Sequence, residues 1–280
     1  MRTIDGEKKD IVRIMAEGER TVPDSIILKM SADSKKDFYK ATAALFQGFM
    51  MEVICPEYAE RLHHDGIHPY STSFMMADGF AYWRVNTLSD EAQQQLIQPL
   101  LNRDVNQIYL KGKDAKFSVL EKTLIHTSYE DMIQKYYFGG GDRFIHLHFL
   151  TPASFKKSGR YMIYPTPRLI FQSLMQKYDA CSEQSSIFSE ELLEEFENYT
   201  VVKGYRMRST QYKIEQVRIP SFMGDITLEI GGSKQLANVA KMLVKFGEFS
   251  GVGIKTGMGM GAIKVLENSR SVNEEEKLRK

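Results

Sequence analysis

The predicted order of strands and helices occurs twice along this chain of 280 residues, and this duplication limits the fold more than any single motif does. Apolar residues alternate in predicted strands and recur every three to four positions in predicted helices. The first half has a strand at residues 26–30, a helix capped by Ser34, a hairpin at residues 70–85, a helix from Ser89, and strands at residues 106–110 and 115–126. This order is β-α-β-β-α-β.

The same order returns after residues 136–142, where three consecutive glycines beside Asp142 predict a linker. The second half has a strand at residues 144–150, a helix begun by Pro167, an acidic helix at residues 190–197, strands at residues 201–207, 212–219 and 225–230, a helix capped by Ser233, and a strand at residues 262–266. Two such units predict an α+β fold of two tandem ferredoxin-like domains with a C-terminal glycine-rich loop. The cleft between the domains is the expected functional region.

The predicted boundaries follow from these elements. They are an N-terminal extension at residues 1–21, a first domain at 22–135, the linker at 136–142, a second domain at 143–266 and a charged tail at 267–280. Ile11, Ile14 and Met15 give the extension a short helical pattern.

The formal net charge is only +1, so any nucleic acid must bind to a local basic region. Residues 201–265 contain ten lysines and arginines but only four acidic residues, so this part of the chain is locally basic. The two cysteines, Cys55 and Cys181, give neither a disulfide framework nor a zinc motif. We therefore expect a reducing, cytoplasmic location, and the absence of a long apolar run predicts no membrane span.

Six glycines occupy residues 247–261, next to Lys255 and Lys264. A dinucleotide fingerprint needs a strand before its glycines and a helix after them, but here the order is reversed. The P-loop pattern also fails, because Ile254 precedes the Lys255-Thr256 pair where a glycine is required. The backbone of this glycine-rich loop is predicted to hold an anionic group, and the alternative is a surface turn without a ligand.

Three of the six histidines, His63, His64 and His68, lie between the first helix and the hairpin. An imidazole can accept or donate a proton near neutral pH, so these histidines are candidates for general acid–base catalysis. The alternative is a histidine-rich surface loop.

Cations alternate along the strand at residues 201–207 and beyond it, a pattern that suits an RNA backbone with aromatic neighbours for stacking. Arg206 and Arg208 are predicted to share one face, and Lys203 and Tyr205 the other. Tyr161, Tyr164 and Arg168 suggest the same chemistry, and a solvated strand face is the alternative.

A metal site is the competing interpretation. His146 and His148 would lie on one face of a strand and could be joined by His126 or Asp142. No carboxylate motif accompanies them, so we expect no metal and no other cofactor.

Three ordered motifs resemble one known family. They are residues 62–65 with 69–73, residues 164–173, and the glycine-rich loop between a helix and a last strand. The chain is similar to the CRISPR-repeat-cleaving endoribonucleases of the repeat-associated mysterious protein superfamily over roughly residues 26–266. Ser209-Thr210 and residues 219–224 resemble the branch found with type III systems.

The resemblance implies a metal-independent endoribonuclease that binds CRISPR repeat RNA and cleaves precursor CRISPR RNA once per repeat. Attack by the 2′-hydroxyl would give a 2′,3′-cyclic phosphate and a 5′-hydroxyl. Transient hand-over to a type III interference complex and a homodimer are further expectations. A non-cleaving guide-RNA-binding subunit of an interference complex, and an enzyme that holds a nucleotide on the glycine-rich loop, are the alternatives.

The resemblance also suggests roles for residues. His63 and His68 would be the catalytic acid and base in either order, with Lys255 or Arg84 stabilising charge on the phosphorane. Several relatives have a tyrosine where this chain has Met50-Met51, which leaves the acid and base assignment open. The predicted RNA-binding residues are Lys203, Arg206, Arg208, Gly251, Gly253, Lys255, Gly257, Gly259, Gly261 and Arg168.

Overall fold

The computed structural model describes residues 12–15, 22–40, 42–64, 66–102, 104–140, 142–182, 186–214 and 216–266. The side chains of residues 63 and 64 lie outside this description, as do most of the N-terminal extension and the charged tail.

The first domain contains six strands and five helices within the described residues. In chain order they are β1 (Val12–Met15), β2 (Asp24–Ala32), α1 (Lys35–Lys40), α2 (Ala43–Val53), α3 (Pro56–His64), β3 (Tyr70–Ala77), β4 (Phe80–Thr87), α4 (residues 90–101, with a π turn at Gln93–Ile97), β5 (Gln107–Leu110), β6 (Ala115–His126) and α5 (Tyr129–Met132, continued by a π turn at Ile133–Phe138).

The second domain follows after residue 142. Its elements are β7 (Phe144–Ala153), β8 (Phe155–Lys157), β9 (Arg160–Met162), α6 (Pro167–Cys181), α7 (Glu190–Tyr199), β10 (Thr200–Ile214), β11 (Val217–Ile230), α8 (Lys234–Ser250), a 3-10 turn (Thr256–Met258) and β12 (Ile263–Leu266).

Both domains have the ferredoxin-like strand order, which confirms the predicted fold class. In the first sheet the order is β1-β6-β2-β4-β3, with β5 also paired to β6. In the second it is β10-β11-β7-β12, while β8 and β9 form a separate two-stranded sheet. Each sheet packs its helices against one face, over cores centred on Phe46 and Trp83 in the first domain and on Phe171 and Phe246 in the second.

Three local predictions were wrong. The helix expected from Ser34 is interrupted, because Thr42 takes an extended conformation and caps α2 with its hydroxyl. Residues 12–15 form a strand parallel to β6, since pairing with an existing sheet edge outweighs their weak helical pattern. The strand expected at residues 212–219 contains the turn of the long β10–β11 hairpin.

The predicted linker also differs from the structure in its first part. Residues 136–138 belong to the π turn that ends α5. Tyr136 and Tyr137 pack against the core of the second domain, so apolar contact extends this helix almost to the glycines.

The glycine-rich loop begins at Gly251, since residues 247–250 belong to α8, and it packs against the first domain. Thr72 Oγ1 donates to the Gly257 carbonyl at 3.2 Å, and Ser71 Oγ donates to the Phe249 carbonyl at 2.5 Å. Gly259 has a φ of +98°, and a Cβ there would lie 2.1 Å from Cβ of Ala43. Only glycine therefore fits at position 259.

Lys177 of α6 holds the same loop from the other side. It is 8% exposed, and its Nζ donates to the carbonyls of Ser250 and Gly251 at 3.3 and 3.0 Å and to Thr256 Oγ1 at 3.2 Å. Three oxygens thus satisfy the three N–H groups of one buried ammonium. Burial lowers the pKa of Lys177 to about 7.

No helix within the described part of the chain is long and apolar enough to cross a membrane.

The contact at Gly259 can be tested by comparing two glycines with positive φ. Gly79 has a φ of +79° and open space around its Cβ position, so Gly79→Ala measures backbone strain alone. We expect Gly259→Ala to lower the free energy of unfolding by roughly 1–3 kcal/mol more than Gly79→Ala does, because Ala43 must also move. Denaturant titration measures both values, and equal losses would contradict the close packing of Gly259.

Lys177 should make stability depend on pH. An unfolded lysine titrates near 10.4, so between about pH 7 and that value the unfolded chain binds more protons than the folded one. The contribution of Lys177 to the free energy of unfolding therefore rises with pH between these two pKa values, by at most about 1.4 kcal/mol per pH unit. Below both pKa values this contribution does not change with pH. In Lys177→Met this titration is lost.

The free energy of unfolding of the parent, minus that of Lys177→Met, should consequently increase from pH 7 to pH 9.5. Lys234→Met, at an exposed lysine of α8, is the control and should show no such trend. A difference between parent and Lys177→Met that stays constant with pH would contradict the lowered pKa.

Candidate functional site

A cleft of about 490 Å³ lies between the two domains. The first domain contributes Gly66, Ile67 and His68 from the segment between α3 and β3. The second domain contributes residues 253–258 of the glycine-rich loop, together with side chains of α6 and of the β8–β9 hairpin. The cleft therefore brings together two of the sequence regions predicted to carry chemistry.

His68 is placed in this cleft by Tyr70. The two rings stack with centroids 5.5 Å apart, and Tyr70 is 2% exposed. Gln47 donates to the Tyr70 hydroxyl at 3.3 Å, and burial raises the pKa of Tyr70 above its usual value. A Cβ at Gly257 would lie 3.1 Å from the Tyr70 ring, so this ring also contacts the glycine-rich loop.

The backbone of His63 belongs to the last turn of α3. Tyr58 and Leu62 are buried and fix this helix against the core of the first domain. The helix ends at His64, and the chain enters the cleft at Gly66. The side chain of His63 lies outside the described residues, so its predicted catalytic role remains a prediction.

Lys255 lines the cleft from the second domain. It is exposed, has a φ of +56°, and precedes the 3-10 turn at Thr256–Met258. His68 and Lys255 therefore line one cavity from different domains, as a site with a proton-transfer group and a cation requires.

The glycines of the loop are mainly a packing device. Many backbone N–H groups of the loop donate to acceptors within the protein. They are those of Gly251, Val252, Gly253, Ile254, Gly259, Gly261 and Ala262. Gly253, for example, donates to Ser173 Oγ at 2.8 Å. The fold itself thus uses the N–H groups of Gly251, Gly253, Gly259 and Gly261, and contact of the five glycines with RNA stays a prediction.

The basic strand β10 contacts the site through its end. The Tyr212 hydroxyl donates to the Met258 carbonyl at 2.6 Å, and burial raises the pKa of Tyr212 to about 12. Arg206 and Arg208 are exposed and share a face, as predicted, opposite Asp225 and Met223 of β11. The β10–β11 hairpin therefore contacts the glycine-rich loop at Tyr212 and carries the exposed Arg206 and Arg208 further along β10.

Lys203 differs from its predicted position. A β-bulge between Val202 and Gly204 interrupts the alternation, and Lys203 pairs with Glu229 at 3.1 Å. Glu229 and Asp225 share a face of β11, so the bulge brings Lys203 to the side of Arg206. Sequence alternation alone could not show this shift.

Two predicted cations are engaged elsewhere. Arg168 forms ion pairs with Glu190 and Glu197 of α7, so two carboxylates already contact its guanidinium. Arg84 donates from Nε to Ser25 Oγ at 2.8 Å and to Asn86 Oδ1 at 2.7 Å, and its guanidinium lies over Phe249 at the domain interface. Arg84 is not among the residues that line the cleft, whereas Lys255, the other cation predicted to stabilise the phosphorane, is.

The histidines of the metal interpretation do not converge. His146 contacts Thr227, His148 contacts Asp225, and His126 pairs with Asp24 in the other domain. The described residues contain no group of three or more histidine, cysteine or acidic side chains placed to hold a metal ion.

Sequence reasoning missed the face that α6 presents to the cleft. Leu169, Gln172, Ser173, Gln176 and Lys177 all line it. These positions follow the spacing i, i+3, i+4, i+7 and i+8 of a single helix face. Polar residues on an otherwise apolar face were the signal that could have revealed it.

Comparisons with known proteins agree with this architecture. The family model for CRISPR-associated endoribonuclease Cas6 matches residues 147–263, which include most of the second domain and the glycine-rich loop.

The Cas6 endoribonuclease of Streptococcus thermophilus is 32% identical over 225 residues, which cover 80% of this chain and 91% of that protein. The Cas6 endoribonuclease of Mycobacterium tuberculosis is 33% identical over 219 residues, which cover 78% of this chain and 69% of that protein.

Solved structures show the same fold. Thermus thermophilus Cas6 superposes with a TM-score of 0.68 and 26% identity, over 89% of this chain and all of that one. A Cas6 product complex superposes with a TM-score of 0.72 and 26% identity, over 88% of this chain and all of that one. The chain therefore belongs to the family of CRISPR-associated Cas6 endoribonucleases and is an endoribonuclease of CRISPR RNA processing.

Proposed function

We propose that this endoribonuclease binds CRISPR repeat RNA and cuts precursor CRISPR RNA within each repeat, without a metal ion, by attack of a ribose 2′-hydroxyl. The observation that carries the proposal is that His68 and Lys255 line one interdomain cleft which the chain enters directly after His63-His64. An enzyme of this kind needs two proton-transfer groups and a cation. His68 and Lys255 supply one of each, and His63 would be the second proton-transfer group.

In the proposed reaction the 2′-oxygen upstream of the scissile phosphate attacks phosphorus. One histidine of the His63 and His68 pair accepts the proton of the 2′-hydroxyl. The bond between phosphorus and the 5′-oxygen then breaks, and the other histidine gives a proton to that oxygen. The products are a 2′,3′-cyclic phosphate and a 5′-hydroxyl, so atoms and charge balance without an added water.

Lys255 would stabilise the extra negative charge on the phosphorane. Its backbone is fixed, because its carbonyl accepts from the amides of Met258 and Met260 at 3.0 and 3.2 Å. A cation that is held in place before the reaction stabilises such charge without having to be reoriented in the transition state.

The RNA would extend from this cleft to the exposed cations of β10. Arg206 and Arg208 share a face, and Lys203 joins them beyond the bulge. The Cas6 product complex among the similar structures supports RNA binding by this fold. We further propose a homodimer. On the resemblance of Ser209-Thr210 and residues 219–224 to the type III branch, we also propose transient hand-over of the product to a type III interference complex.

The role of His63 can be separated from RNA binding. An acid–base residue contributes about a hundredfold to ten-thousandfold to rate and little to ground-state affinity. We therefore expect His63→Ala to bind repeat RNA with the parent affinity and to cleave it at least about a hundredfold more slowly, in single-turnover assays. His68→Ala should be slowed by an equal or smaller factor.

His64→Ala is the matched control, since His64 adjoins His63 on α3 and is not assigned a proton-transfer role. It should cleave at nearly the parent rate. Cleavage by His63→Ala at the parent rate, with His64→Ala slow instead, would move the role to the neighbouring histidine. If all three variants cleave normally, the histidine chemistry is wrong.

A further inference from the structure

The hairpin of β8 and β9, residues 155–162, forms a small sheet of its own beside the cleft, and we call it the basic arm. Ser158 and Gly159 make its turn, with φ values of +48° and +78°. Two consecutive positive φ values are those of a type I′ turn, whose twist matches that of paired strands. The arm is therefore a defined hairpin and not an irregular loop.

The base of the arm is anchored in the second domain. Phe155 is 3% exposed and stacks on Phe222 of β11, with ring centroids 6.0 Å apart. Met162 lies opposite Phe155 in the hairpin and packs against the same core. With its base fixed in this core, the backbone of the arm is positioned beside the cleft.

Those remaining side chains are basic and aromatic. Lys156 lies opposite Tyr161, and both line the cleft with His68 and Lys255. Lys157 lies opposite Arg160 at the tip. Like charges in such a pair destabilise a hairpin, so the tip pair weakens the arm unless negative charge lies nearby.

The protein itself supplies little of that negative charge. The sequence contains no aspartate or glutamate between Arg143 and Tyr178. Within the described residues, none of Lys156, Lys157 and Arg160 is among the ion pairs, whereas Lys203 and Arg168 each have a carboxylate partner. A ligand would have to provide the compensating charge.

The exposed aromatic rings indicate what kind of anion this is. Tyr161 is 40% exposed, and Tyr164, just beyond the arm, is 56% exposed. Cations beside exposed rings are the combination that binds single-stranded nucleic acid, through phosphate contacts and base stacking. The arm is also continuous with the proposed cleavage cleft, so RNA accounts for both features better than an acidic protein surface does.

We propose that the basic arm binds the unpaired RNA segment next to the scissile phosphate, with Lys157 and Arg160 on its phosphates and Tyr161 stacked on a base. This inference rests on the proposed function and adds a subsite to it. Lys156, inside the cleft, lies between this segment and the cleavage site.

The test uses the full chain and the RNA of its own CRISPR repeat, with a 2′-deoxy nucleotide upstream of the scissile phosphate so that binding is measured without cutting. Lys157→Gln combined with Arg160→Gln should reduce the slope of log affinity against log salt by about 1.4 to 1.8, the value for two lost phosphate contacts. Tyr161→Ala should weaken binding roughly fivefold to 150-fold, and Tyr161→Phe should keep the parent affinity because the ring is retained.

Lys36→Gln combined with Lys116→Gln is the matched control, since both lysines are exposed in the first domain and neither lines the cleft. It should leave the salt slope within about 0.3 of the parent value. Arg206→Gln combined with Arg208→Gln gives the slope change for the β10 surface. Circular dichroism and melting temperature establish that each variant is folded.

The outcomes separate the two proposals. If the parent cuts unmodified repeat RNA but the arm variants keep its slope and affinity, the arm proposal is overturned and the proposed function stands. The arm proposal is also overturned, and the proposed function stands, if the arm variants bind RNA normally and lose only binding to a protein partner. If the parent neither binds nor cuts repeat RNA, the proposed function itself fails. Ultraviolet cross-linking of 4-thiouridine-labelled RNA to a peptide containing residues 157–161 would support the arm independently of any variant.

Discussion

Close packing of the glycine-rich loop against the first domain holds the two sides of the cleft together. At Gly259 a Cβ would be 2.1 Å from Cβ of Ala43, and at Gly257 it would be 3.1 Å from the ring of Tyr70. The same Tyr70 ring stacks on His68. Because one aromatic side chain contacts both the loop and the histidine, the position of Lys255 relative to His68 depends on this interface.

Buried polar groups hold the loop on its other side. Lys177 Nζ lies within hydrogen-bond distance of the carbonyls of Ser250 and Gly251 and of Thr256 Oγ1, and Ser173 accepts from Gly253. Satisfied buried hydrogen bonds of this kind restrict a segment to one arrangement. The loop can thus present an exposed cation to the cleft without being mobile, which is the condition for stabilising charge in a transition state.

The fold and part of the site could be predicted from the sequence because they depend on local patterns. Alternating apolar strands, helix starts at Ser89, Pro167 and Ser233, and the hairpin at residues 70–85 are predicted from neighbouring residues. The histidine segment that contains His68 could also be predicted as part of the site from its residue types. The same is true of Lys255 in the glycine-rich loop.

What the sequence could not show depends on distant contacts. The ion pairs of Arg168 join residues that are 22 and 29 positions apart in the sequence. The internal use of the glycine N–H groups appears only once β7, α6 and the loop meet. The bulge between Val202 and Gly204 moves the Lys203 side chain to the other face of β10. The alternation of residues in the sequence gives no sign of this bulge.

The chemistry of the cut ends tests the central claim most directly. Repeat RNA is incubated with the purified protein in a buffer containing EDTA, and the two fragments are weighed by mass spectrometry. If a ribose 2′-hydroxyl attacks with histidine proton transfer, the upstream fragment carries a 2′,3′-cyclic phosphate and the downstream fragment a 5′-hydroxyl. A downstream fragment with a 5′-phosphate, or cleavage that stops in EDTA, would show that metal-activated water is the nucleophile and contradict the assigned site.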